Sequence, residues 1–225
     1  MTTATDPAHQ SAPAAAQSAL RLVTELPVRP TPAGALHAAA HAEPDASAWL
    51  LRRILAEPET PMLTIEALRR WTGLDEQGAL TQLKKLQDAA WIEAIDTPLA
   101  VPGGSLDALL VPLLETLSST GKALLADTDG QVAWTTGFAP ERAAGLAGLA
   151  SELALVHARY ADALRTATGE ATEAWALVDG SGLSRLGCWP IYIGRTRFVL
   201  VVQGLPHLAH PNLTTLVLLL VQHFA

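Results

Sequence analysis

Apolar residues in the second half of the chain follow two rhythms. Leu106, Leu109, Leu110, Leu113, Leu114 and Leu117 recur at helical spacing and predict an amphipathic helix. Residues 122–127 then read as a strand and Thr128-Asp129-Gly130 as a hairpin turn, with Gly130 accepting positive φ. Residues 131–136 return as the partner strand. Pro140 opens a long helix reaching Arg165, since its missing N–H costs nothing in a first turn. Three strands are predicted next, over 173–178, 184–193 and 197–203, with Gly194-Arg195 turning between the last two. Pro211 introduces a terminal helix ending at Phe224.

The first half is organised differently. Trp49, Leu50, Ile54 and Leu55 predict a helix over 46–55. Thr64 is a good N-cap for a second helix, flanked by the hydrophobic-staple pair Leu63 and Leu68, and Gly73 ends it. Asp75 caps a third helix with Ala79, Leu83 and Leu86 on one face, and residues 91–95 alternate like a short strand. Residues 1–45 are rich in Ala, Pro and Thr with no large aromatic residue, and predict a flexible tail. Within that tail, the apolar piece 20–26 either forms a helical turn or docks on something. Pro98, Pro102, Gly103 and Gly104 mark a linker over 98–104. The expected organisation is thus a tail (1–45), a small helical domain (46–97), the linker, and an α/β domain (105–225).

Composition narrows the function. The 225 residues are 49% hydrophobic and only 16% charged, below the ~25% of an average soluble domain. Net charge is −7, and acids outnumber bases in each of the three pieces. That disfavours any role resting on broad attraction to phosphate. A single cysteine, Cys188, excludes a disulfide framework and a thiolate zinc cage. The N-terminus carries no basic-then-apolar segment, and the apolar run 216–221 is far short of the ~20 residues of a membrane span. A cytoplasmic protein with no membrane partner is expected.

Two family resemblances emerge. Leu63-Thr64-Ile65-Glu66-Ala67-Leu68, then Thr72-Gly73-Leu74 and the segment from Leu80 to Ile95, resemble a winged helix-turn-helix. In DNA-binding members of that family the third helix enters the major groove. The resemblance therefore implies Gln77, Thr81, Gln82, Lys84 and Lys85 as nucleic-acid contacts. Asp75 and Glu76 at the approaching end oppose this, so two readings stand: a protein-contact module or a DNA reader. The order α-β-β-α-β-β-β-α over 105–225 resembles the roadblock family, related to dynein light chains. The Leu-rich first helix, Ala126-Asp127-Thr128-Asp129-Gly130 and Phe198-Val199-Leu200-Val201-Val202 carry that resemblance. It implies an α/β (α+β) fold with a five-stranded, mostly antiparallel sheet. It also implies dimers formed through the second helix and the strand after it, and pairing with a small Ras-like GTPase in a scaffold rather than a catalyst.

The long helix supports a homodimer independently. Leu146, Leu149, Leu153, Val156, Tyr160 and Leu164 form one stripe of large side chains. Ala143, Ala147, Ala150, Ala154 and Ala161 form another, about 90° around the helix. A helix packed only on its own sheet needs one stripe. The small-residue stripe suits a second copy at the low end of ~8–10 Å, with Trp175 and Leu177 extending the sheet across the two-fold axis.

Catalytic signatures are missing from the sequence. Gly180-Ser181-Gly182 lacks the third glycine of a dinucleotide loop, there is no phosphate loop, and Ser184 is not in a nucleophile elbow. Asp127-Thr128-Asp129-Gly130 lacks the flanking ligands of a calcium loop. His37 with His41, and His207 with His210, have metal-like spacing but no third ligand close by. No enzyme, cofactor or metal is expected. The leading reading is a dimeric regulatory scaffold; its rivals are a dimeric transcription factor and a sensor binding a small ligand beside the sheet.

Overall fold

A computed structural model of the chain describes residues 20–169 and 173–225. It begins with β1 (Val28–Pro30) and α1 (Pro32–Ala39), followed by α2 (Ala46–Leu55), α3 (Ile65–Thr72), α4 (Glu76–Asp88) and β2 (Ile92–Ala94). Next come α5 (Leu106–Thr116), β3 (Ala123–Ala126), β4 (Val132–Thr136) and α6 (Pro140–Thr168). β5 (Trp175–Val178), β6 (Ser184–Ile193), β7 (Thr196–Gln203) and α7 (Asn212–Phe224) complete the order.

Local chemistry sets the helix starts. Thr31, Asp45, Thr64, Asp75 and Ser105 each accept a backbone N–H three residues on, at the heads of α1 to α5. Gly73 ends α3 in the left-handed conformation at φ 69°. The staple pair Leu63 and Leu68 is buried.

Strands β3 to β7 form one antiparallel sheet in the order β4-β3-β7-β6-β5. Alternation divides its side chains between two faces. Leu125, Ile191, Phe198, Leu200 and Val202 join the core that includes α1, α5 and α7, whereas Leu124, Ala126, Cys188, Val199 and Val201 lie against α6. The fold class expected from the sequence, a five-stranded antiparallel sheet with helices, is the one observed.

Other expectations change. The tail boundary at 45 moves back: β1 pairs with β2, and Ala35, Ala38 and Ala39 of α1 are fully buried. Alanine is small enough to let α1 wedge between α2, α7 and β6. Position 34 must stay glycine, because a Cβ there would fall 1.9 Å from the Trp91 carbonyl oxygen. Residues 20–26 form no regular element but dock, with Leu20 and Leu22 packed on the core. The rest of the expected tail, 1–19, lies outside the described residues. Nor does the linker separate two cores, since one apolar cluster runs from α1–α4 into α5, α7 and the sheet. The strand expected over 91–95 is β2, and its partner is β1; Ala100 bridges to Glu59.

Candidate functional site: an exposed helix stripe and a sheet edge

Helix α6 starts at Pro140 and runs 29 residues to a left-handed Gly169, about 43 Å at 1.5 Å per residue. Its buried residues, Ala143, Ala147, Ala150, Ser151 and Ala154, all lie in the first half. They pack onto Leu124, Ala126, Val199 and Val201 of its own sheet. The alanine stripe therefore cannot meet a second copy, which corrects the assignment of Ala143, Ala147, Ala150 and Ala154 to a dimer interface. Size is the reason. The sheet supplies the large side chains on this face, and the β3–β4 hairpin presses into the helix at its smallest residues. The Ser151 hydroxyl donates to the Asp127 carbonyl (2.8 Å). A Cβ on Gly130, itself at φ 77°, would sit 3.2 Å from the Gly148 Cα. Ala161, farther along, is half-buried.

The stripe of large residues consequently faces outward. Leu149, Val156 and Tyr160 are 46%, 43% and 55% exposed, and Leu146, Leu153 and Leu164 are half-buried beside them. The sequence pointed to both stripes but assigned them the wrong way round.

Strand β5 lies at the sheet edge, paired with β6. Trp175 is half-buried against the alanine cluster, while Leu177, on the same face two residues on, is 60% exposed. Val178 is exposed too. The segment entering β5 is held by the Tyr192 hydroxyl, which donates to the Glu173 carboxylate. Burial first, and that carboxylate second, push the Tyr192 hydroxyl well above its ordinary pKa. The indole N–H of Trp175 and Nδ1 of His157 are buried without a hydrogen-bond partner among the described residues. This surface offers apolar area and backbone donors and acceptors for pairing. It offers no nucleophile–base pair.

Among the candidate nucleic-acid contacts on α4, Gln77 and Thr81 are engaged within the chain, and Lys84 is held only by an exposed pair. The Gln77 amide donates to the Leu20 carbonyl, the Thr81 hydroxyl donates to the Gln77 carbonyl, and Lys84 forms an ion pair with Asp88 at 2.7 Å. Gln82 is half-buried and Lys85 is exposed. Asp75 and Glu76 open the same helix.

The histidine pairs serve local structure. His37 stacks on Trp91 with ring centroids 3.7 Å apart and lies 3.4 Å from Asp45, whereas His41 falls beyond the end of α1. His207 Nδ1 is 3.1 Å from the Thr116 carbonyl, and His210 Nδ1 accepts the Asn212 N–H. Among the described residues no three of His, Cys, Asp or Glu gather as a metal site. Cys188 is buried in β6, and loss of solvent pushes its thiol up to about 12. Asp127 and Asp179 spend their carboxylates on the N–H groups of their own turns. Among the described residues, no helix is long and apolar enough to cross a membrane.

No family model and no curated protein matches the chain. Among solved structures, it is similar to the crystal structure of a Roadblock/LC7 domain from Streptomyces avermitilis. The TM-score is 0.37 at 22% identity, over 53% of this chain and 93% of that one.

Proposed function

We propose that the chain is a non-enzymatic scaffold or regulatory protein that self-associates through the outer stripe of α6 and the edge of β5. One observation carries this reading: exposed Leu149, Val156 and Tyr160 run along a helix, and its sheet ends in β5, which pairs only with β6 among the described residues and carries exposed Leu177. A free apolar edge is a template for pairing, and contiguous apolar surface marks an interaction site. Antiparallel pairing of two β5 strands about a two-fold axis would cover both edges and add apolar contact from the two α6 stripes. The interface residues in this reading are Leu149, Val156, Tyr160, Trp175 and Leu177, and the compartment is the cytoplasm. A small Ras-like GTPase is the partner class that the roadblock resemblance implies for the paired platform.

Light scattering tests the self-association. The wild type is expected at twice the chain mass, and Val156→Glu with Tyr160→Glu at the single-chain mass with an unchanged circular dichroism spectrum. A wild type that stays at one chain mass at tens of micromolar would overturn it. For the partner, a purified small Ras-like GTPase from the same cell is presented loaded with GDP or with a non-hydrolysable GTP analogue. Absence of binding in both states removes that partner class.

A further inference from the structure

The segment 20–27 crosses α4 and β2 as an arch tied at both ends. The Gln77 side-chain amide donates to the Leu20 carbonyl at 3.0 Å, and the Leu63 N–H donates to the Leu26 carbonyl at 2.9 Å. Between these ties Val23 is 82% exposed and does not fill the space beneath. That space is a cavity of about 480 Å³ floored by Val28, Leu63, Leu80, Leu83 and Ile92. Its volume falls within the ~300–1,000 Å³ of small-molecule sites.

The rim is polar and electrically uneven. Arg21 from the arch and Lys84 from α4 line it, together with Glu93. Glu93 is already paired with Arg29 at 2.7 Å, which offsets its charge. Lys84 is tied to Asp88, outside the lining, by an exposed pair one helical turn apart, a weak tie in water. The net demand at the mouth is for an anion, while the floor demands an aliphatic chain.

We propose that the arch and α4 form a binding site for a medium-chain aliphatic carboxylate, its chain over Leu80 and Leu83 and its head between Arg21 and Lys84. This site is independent of α6 and β5, so it stands or falls apart from self-association.

Decanoate titrated into the full-length protein by calorimetry, with 1-decanol as the uncharged control, tests the assignment. Saturable one-to-one binding of decanoate is expected, at least tenfold tighter than decanol. Arg21→Ala with Lys84→Ala should erase that preference. Leu83→Trp, which fills the floor, should weaken decanoate at least tenfold. Absence of saturable binding overturns the site, as does undiminished binding to a folded Leu83→Trp protein. Should Leu83→Trp fail to fold, the Arg21/Lys84 variant decides: an unchanged decanoate affinity overturns the proposal.

Discussion

Ala150 is 1% exposed, packed among Leu124, Val199 and Val201. A carboxylate there would be buried without a partner, a costly arrangement. Ala150→Glu is therefore expected to destabilise the fold by about 3 kcal/mol or more, seen as a lower urea midpoint rather than as a folded monomer. Cys188 makes a second test of the same face. With its thiol held protonated at neutral pH, alkylation by iodoacetamide should be on the order of 100-fold slower in native buffer than in denaturant. Asp45 behaves differently. Burial would raise its pKa, but the Ala48 N–H and the nearby His37 outweigh burial, and the net shift is downward. A depressed carboxylate contributes stability above its unfolded value, near ~3.9, and loses it as pH falls through the folded value. Asp45→Asn keeps an N-cap acceptor and loses the charge. Its stability gap from wild type, followed by denaturation from pH 6 to 3, should close at the acid end.

At the scale of elements, much was legible because caps and alternation are local. Thr64, Asp75 and Gly73 marked helix ends where the structure has them, and Pro140 opened α6 as read. The strand over 184–193 matches β6. Thr64→Ala should then cost about 1 kcal/mol, measured by chemical denaturation, since only the capping bond to the Ala67 N–H is lost. The orientation of α6 was not legible. Both its stripes are apolar, and periodicity says nothing about which one a sheet will take. The choice rests on non-local facts: the size of Val199 and Val201, and a hairpin whose Gly130 lies close to the Gly148 Cα and whose Asp127 carbonyl accepts the Ser151 hydroxyl. The proposed site therefore keeps the helix and strand that the sequence suggested, but takes the large-residue face of α6, because the alanine face is buried on its own sheet.

The whole molecule depends on contacts that composition hides. Residues 28–45 read as a tail because alanine and proline carry little hydrophobic signal, yet α1 lies against α2, α7 and β6. Polar ties cross the same boundary. The Thr214 hydroxyl of α7 donates to the Pro30 carbonyl at 3.3 Å, and the Gln222 amide donates to the Leu55 and Glu57 carbonyls at 2.8 and 2.9 Å. Those two carbonyls lie at and just beyond the end of α2, where a helix leaves acceptors without partners. Removing one donor that serves both should cost about 1–2 kcal/mol. If the halves share one core, Gln222→Ala must lower the stability of the whole molecule. Calorimetry should show a single transition for wild type and variant alike, shifted down in Tm, with calorimetric and van't Hoff enthalpies in agreement. Were the halves separate, the scan would resolve two transitions, and neither part would lose more than the local cost of the missing bonds. The apolar cluster that joins Leu50, Leu51 and Leu55 to Leu216, Leu219 and Leu220 is the reason to expect one.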